Sequence, residues 1–191
     1  MLQRPLRYAD RLVARDAGRI DLAVIHCTEL PDLEMAREYG ERIHYAATGT
    51  GNAGHFYVDR DGTTEQWVPL ARVAHHVRGW NERSVGIELV NRGRYPDWLH
   101  SQRQQMTEPY TEAQLDALLA LLRTLRERLP GLRFIAGHEV LDRDTVPASD
   151  DPERLVRRKR DPGPLFPWER VLAASGLEPL NPGGDGPDGC V

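Results

Sequence analysis

The chain has 191 residues and 40% hydrophobic content, which suits one globular domain with a sizeable core and argues against a second domain. A formal net charge of -4 argues against general electrostatic binding of nucleic acid, because such binding needs a basic face. Residues 1–8 lack the apolar segment of a signal peptide, and no apolar run reaches transmembrane length. We expect a cytoplasmic monomer that does not insert into a membrane.

The first half of the chain predicts a strand, a helix and a hairpin. Residues 20–27 are almost continuously apolar and rich in β-formers, as in a strand buried on both faces. Residues 33–46 place apolar side chains on one helical stripe. Residues 54–59 and 63–68 flank an Asp-Gly pair, which tolerates the positive φ of a hairpin turn. Together these segments predict a layered domain in which the first strand is buried on both faces.

The second half adds two strands and two helices. Residues 84–90 alternate along a strand, so that Glu88 projects away from the fully apolar face. Residues 112–129 have a leucine stripe and begin with a capping box, which predicts the longest helix. A short strand over 134–138 and a helix over 168–175 follow. We therefore predict an α/β fold with a central mixed β-sheet flanked by helices.

Three residues that are distant in the sequence form the candidate site. His26 and His138 each close a short apolar run, and Asp161 lies in a Lys-Arg-Asp-Pro-Gly segment. Two imidazoles and a carboxylate are a common ligand set of catalytic zinc, which leaves a fourth position open for water. A histidine beside apolar residues is more often a hydrogen-bonded core residue, and this spacing forms no local motif. The pattern alone leaves both interpretations open.

Five short motifs connect these residues to a known family. In chain order they are AVIHCT at 23–28, GHFYVDRDG at 54–62, SVGIEL at 84–89, GHE at 137–139 and KRDPGP at 159–164. Together they resemble the type 2 family of zinc-dependent N-acetylmuramoyl-L-alanine amidases, which is related to the peptidoglycan recognition proteins. The resemblance spans roughly residues 20–175 and implies a peptidoglycan recognition protein-like amidase fold.

The resemblance also implies roles for individual residues. It makes His26, His138 and Asp161 the ligands of one zinc ion per chain, and Glu88 and Lys159 the catalytic pair. By the residues alone, Glu88 could equally be a solvent-facing strand residue. Lys159 could be one charge in a solvated basic run over 154–160.

Substrate contacts are expected from two further places. His76 corresponds to a family histidine that lies in the cleft near the metal or substrate. Residues 91–110 form a long connection, in which Tyr95 and Trp98 could stack on sugar or peptide or could simply pack the loop onto the domain. We take all three aromatic residues as candidate substrate-binding residues.

The reaction implied by the resemblance is hydrolysis of the amide between the lactyl group of N-acetylmuramic acid and L-alanine of the stem peptide. We expect it to act on muropeptides or anhydro-muropeptides in cell-wall recycling. Two alternatives stay open: an amidase that lyses intact peptidoglycan, and a module that binds peptidoglycan without cutting it.

The domain boundaries follow from the resemblance and the composition. Residues 1–19 are predicted to be an N-terminal extension, and residues 20–175 the catalytic domain. Residues 176–191 are rich in glycine and proline with few apolar side chains, so we predict a disordered tail.

Overall fold

The computed structural model describes residues 1–180. Its strands are β1 (Leu2–Gln3), β2 (Leu22–Cys27), β3 (Phe56–Val58), β4 (Thr64–Gln66), β5 (Ser84–Leu89), β6 (Phe134–Gly137), β7 (Thr145–Pro147), β8 (Leu155–Arg157) and β9 (Glu178–Pro179). Its α-helices are α1 (Leu33–Gly40), α2 (Glu112–Arg128), α3 (His138–Leu141) and α4 (Trp168–Ser175). Short 3-10 helices occur at Ala9–Arg11, Ala17–Arg19 and Asn81–Arg83.

A mixed sheet forms the centre of the described residues, in the order β1-β4-β3-β5-β2-β6-β9. The central strand β2 is parallel to both of its neighbours, β5 and β6, whereas β3 and β4 form an antiparallel hairpin. All six residues of β2 are buried, as its continuous apolar sequence predicts. The α/β fold with a central mixed sheet flanked by helices is therefore confirmed.

Helix α2 covers one face of the sheet. Thr111 and Gln114 form the expected capping box at its start. The leucine stripe of α2, including the fully buried Leu118 and Leu122, joins strand residues and Val171 of α4 in one core cluster. Each such leucine contributes about 1.5–3 kcal/mol through burial. A separate core cluster contains Ala36 of α1, Trp67 and four N-terminal residues: Leu6, Tyr8, Ala9 and Leu12.

The first helix is shorter than the apolar stripe predicts. It ends at Gly40, where the Tyr8 hydroxyl donates a hydrogen bond of 2.7 Å to the carbonyl oxygen of Gly40. A side chain at Gly40 would also press on the Trp67 ring, because its Cβ would lie 3.2 Å from the ring. The chain then turns, and Ile43 of the predicted stripe is 51% exposed. The prediction of helix through residue 46 is wrong because contacts from distant residues end it.

Both ends of the described chain pack onto the sheet. Leu6, Tyr8 and Leu12, within the predicted N-terminal extension, are buried, and β1 pairs with β4. At the other end, Leu177 is buried and β9 pairs with β6. Residues 176–180 are therefore ordered, and the rest of the predicted disordered tail, from residue 181 onward, lies outside the described residues. No helix of the described part is long and apolar enough to cross a membrane.

Candidate metal centre and its cleft

Two parallel strands and one loop bring His26, His138 and Asp161 together. His26 lies near the end of β2, and His138 directly follows the neighbouring strand β6 and begins α3 rather than ending the predicted strand. Because carboxyl ends of parallel strands meet at one edge, the two imidazoles converge, with their Nδ1 atoms 3.0 Å apart. Asp161 Oδ2 lies 2.9 Å from the Nδ1 of His26 and 3.0 Å from that of His138.

The loop that carries Asp161 is held by its backbone. The carbonyl oxygen of Asp161 accepts a hydrogen bond of 2.9 Å from the N–H of Glu139 in α3. The next carbonyl, that of Pro162, accepts one of 2.7 Å from the Tyr110 hydroxyl. These bonds fix a carboxylate beside two histidines that are more than twenty residues away along the chain.

The chemistry of this donor set fits a zinc ion. All three side chains are buried, and their ligand atoms lie within 4.8 Å of one another. In a tetrahedral zinc site with bonds of about 2.0–2.1 Å, ligand atoms lie roughly 3.3 Å apart, close to the distances here. Within the described residues, Asp161 Oδ1 is buried without a hydrogen-bond partner. A group of this kind is suited to a cation.

The protonation states also suit metal binding. Burial, and then the neighbouring His138, lower the pKa of His26 to about 4, so this imidazole is neutral at pH 7. Burial alone would raise the pKa of Asp161, but the neighbouring His138 holds it well below its usual range. A neutral imidazole and an ionised carboxylate are the forms that coordinate a metal.

Glu88 borders the same three side chains. The register of β5 on β2 places Glu88 opposite His26, and Glu88 Oε1 lies 3.9 Å from His26 Nδ1. Gly54 leaves room for this side chain, since a Cβ there would lie 2.8 Å from Glu88 Cγ. Burial, and then Asp161, raise the pKa of Glu88 to about 8. The side chain is only 14% exposed, so Glu88 is not an ordinary solvent-facing strand residue.

Lys159 borders the same cleft, two residues before Asp161. Its positive charge is close enough to oppose the rise that burial causes in the pKa of Glu88. Arg158 of the same basic run also borders the cleft, but its guanidinium pairs with the buried Asp142. The run is therefore not a uniformly solvated strip of charge.

The structure separates the three aromatic candidates for substrate contact. Trp98 lines the cleft, and its Nε1 donates a hydrogen bond of 3.0 Å to the carbonyl oxygen of Glu29. Tyr95 is not brought to this cleft: its ring packs edge-on against Trp98 at 5.6 Å and borders a smaller groove. His76 lines the cleft, but its Nδ1 lies 3.0 Å from His26 Nε2.

Sequence reasoning missed an ion pair that borders the cleft. Arg94 and Glu29 border the cleft and are joined by two hydrogen bonds of 2.7 Å, from Nε to Oε1 and from Nη2 to Oε2. Glu29 lies two residues after the end of β2 and adopts a positive φ of 49°. The two residues are 65 positions apart, and no local pattern in the sequence links them. The whole cleft measures about 710 Å³.

Comparison with known proteins adds a family to this geometry. The family described as N-acetylmuramoyl-L-alanine amidase matches residues 16–164. The 1,6-anhydro-N-acetylmuramyl-L-alanine amidase AmpD of Enterobacter cloacae is 33% identical over 176 residues, which cover 80% of this chain and 79% of that protein.

One further relative matches this chain over a smaller part of its own length, and one solved structure is similar in fold at lower sequence identity. The N-acetylmuramoyl-L-alanine amidase AmiD of Escherichia coli (strain K12) is 33% identical over 120 residues, or 59% of this chain, and the match spans 37% of its own length. The solved structure of the endolysin N-acetylmuramoyl-L-alanine amidase LysCS from Clostridium intestinale is similar with a TM-score of 0.65, 22% identity and coverage of 93% of this chain and 95% of that one. The latter likeness concerns the fold.

Proposed function

Because the chain belongs to the N-acetylmuramoyl-L-alanine amidase family, we propose that it hydrolyses the amide between the lactyl group of N-acetylmuramic acid and L-alanine of the stem peptide. The observation that carries this proposal is the convergence of His26, His138 and Asp161 beside Glu88 at one edge of the sheet. These three residues would hold one zinc ion. When bound, the ion would lower the pKa of a coordinated water to roughly 7 and polarise the scissile carbonyl.

Glu88 is the proton-transfer group in this proposal. Its carboxylate takes a proton from the attacking water and later returns it to the amine of L-alanine, so that one group acts first as base and then as acid. Its burial supports this role, because a carboxyl whose pKa is raised to about 8 can exchange a proton near neutral pH.

Lys159 stabilises the charge that forms on the carbonyl oxygen during attack. An ammonium group held beside the reacting carbonyl lowers the energy of the negatively charged intermediate more than that of the neutral amide. The position of Lys159 in the cleft, two residues from Asp161, supports this role. Trp98 borders the same cleft and offers an apolar surface to the sugar or the peptide.

For the substrate we propose soluble anhydro-muropeptides released in cell-wall recycling, with a monomer acting in the cytoplasm. The support is the match to AmpD, a 1,6-anhydro-N-acetylmuramyl-L-alanine amidase, of which the match covers 79%. Lysis of intact wall is the second candidate, because the endolysin of Escherichia phage T7 is 30% identical over 121 residues. The complete ligand set with Glu88 and Lys159 favours catalysis over binding alone.

The test is product analysis by mass spectrometry after incubation with a defined anhydro-muropeptide and, separately, with intact sacculi. Each reaction is run with and without a zinc chelator. We expect chelator-sensitive release of a peptide that begins with L-alanine, and faster turnover of the soluble substrate. Preference for sacculi would favour wall lysis instead. Absence of cleavage in zinc-loaded protein would overturn the enzymatic assignment.

Variants separate metal binding from catalysis. We expect Asp161→Ala to lose both bound zinc and turnover, because one of three ligands is removed. Glu88→Ala should keep zinc, measured by elemental analysis, and lose most of its turnover. Equal activity of Glu88→Ala and the unmodified protein would remove Glu88 from the mechanism.

A further inference from the structure

A chain of polar contacts runs from His26 away from the position proposed for the metal. His26 Nε2 lies 3.0 Å from His76 Nδ1, and His76 Nε2 lies 3.1 Å from the hydroxyl oxygen of Ser84. Ser84 is fully buried. Both ring nitrogens of His76 are thus occupied by protein partners, and neither is left to bind a substrate.

From this chain we propose that His76 is a positioning residue that holds His26 in the tautomer and ring orientation needed to coordinate the metal. The inference rests on the proposed function, because it takes His26 to be a metal ligand. A neutral imidazole carries its proton on one nitrogen and accepts at the other. If His26 Nε2–H donates to His76 Nδ1, then His26 Nδ1 keeps its lone pair free for the metal.

The contact with Ser84 is compatible with this direction of donation, because a serine hydroxyl can accept as well as donate. With Nδ1 accepting from His26, the neutral ring of His76 carries its proton on Nε2 and donates it to the Ser84 oxygen. The reverse direction would put a proton on His26 Nδ1, where it would point at Asp161 Oδ2, 2.9 Å away. That arrangement suits only a protein without metal. Metal binding and the order of donation from His26 through His76 to Ser84 are therefore coupled.

The ring of His76 is held in place on several sides. The side-chain oxygen of Asn81 accepts hydrogen bonds from the backbone N–H groups of His76 and Val77, at 3.0 and 2.8 Å. The ring rests on the bare backbone of Gly86 in β5, where a Cβ would lie 2.6 Å from its Cγ and Nδ1 atoms. The rings of His26 and His55 meet it edge-on at 5.1 and 5.6 Å. A His76 ring held in this way can hold the orientation of the His26 ring.

This geometry explains a glycine on a buried strand. A side chain at Gly86 would occupy the space of the His76 ring, so the glycine leaves room for that ring. Ser84, two residues earlier on the same face of β5, supplies the hydroxyl at the far end of the chain of contacts. Glu88, two residues later on that face, borders the metal position.

Zinc affinity, measured by competition with a chromogenic chelator, tests the proposal independently of turnover. Loss of an outer partner of a metal-binding histidine typically weakens metal affinity by about 10–100-fold. We expect a loss of about this size in His76→Phe, which keeps an aromatic ring and removes both nitrogens. His76→Asn retains an acceptor near the Nδ1 position and should recover part of the affinity. Ser84→Ala, which leaves His76 itself in place, should lose less than His76→Phe.

The outcomes separate this inference from the proposed function. Folded His76→Phe and Ser84→Ala that bind zinc as tightly as the unmodified protein would overturn the positioning role. So would a raised KM in His76→Phe with unchanged zinc affinity, which would return His76 to substrate binding. If His76→Phe does not fold, Ser84→Ala and His76→Asn decide the question by the same measurement. Unmodified protein that binds zinc without cleaving muropeptide would refute only the amidase assignment.

Discussion

Replacing Arg94 by methionine should destabilise the protein strongly, because it leaves a buried carboxylate without its partner. The Arg94 side chain is 1% exposed and that of Glu29 is 8% exposed. Removing one member of a buried ion pair costs about 3–5 kcal/mol. At about 2–4 °C per kcal/mol for a chain of this length, the melting temperature should fall by roughly 6–20 °C.

The same substitution should also lower turnover, because Arg94 holds the segment that leads to Lys159 and Asp161. Its Nη1 donates a hydrogen bond of 3.0 Å to the carbonyl oxygen of Arg157, and its Nη2 donates one of 3.3 Å to that of Arg158. Without these two bonds, the segment that leads to Lys159 and Asp161 becomes more mobile. We therefore expect kcat to fall in the fraction of protein that remains folded, at a temperature well below the melting transition.

The assay is urea or thermal unfolding at pH 7, with Arg133→Met as the matched control. Arg133 makes a similar two-point contact with Glu178, but the two side chains are 65% and 57% exposed, so the control should change stability little. The double variant Arg94→Met with Glu29→Leu should regain part of the lost stability, since no buried charge remains. A loss in Arg94→Met no larger than in Arg133→Met would refute the reasoning.

Two other predictions concern the cleft itself. Lys159→Ala should lower kcat by about 100–1,000-fold, as loss of a group that stabilises the oxyanion does, whereas Arg160→Ala should change it little; equal small effects in steady-state assays would make Lys159 an ordinary charge. In chelator-treated protein, the pKa of Glu88 is about 8 in the folded state, against an ordinary value of 4.5. Ionisation of Glu88 therefore destabilises the folded state, and this destabilisation grows as the pH rises from 4.5 through 8. Glu88→Gln should thus be more stable than the unmodified protein at pH 9 and equal to it at pH 4, and a difference in urea unfolding that persists at pH 4 would contradict this cause.

Local sequence patterns determined much of the fold of this protein. The continuous apolar run predicted the buried strand β2, and the leucine stripe with its capping box predicted α2 to within one residue of its end. The alternation along β5 placed Glu88 on the same face as Ser84 and Gly86. These features depend on residues that are close in the chain, and backbone geometry alone sets which face each side chain takes. The family, too, was evident from short ordered motifs and is confirmed.

Other features were decided by the tertiary structure. His26 and His138 are 112 residues apart, and their meeting depends on β2 and β6 becoming parallel neighbours. The ion pair of Glu29 with Arg94 and the contact of His26 with His76 likewise join residues 65 and 50 positions apart. The early end of α1 depends on Tyr8, outside the helix. Periodicity in a sequence reports which face of an element is buried, whereas the order and register of strands determine which buried side chains touch.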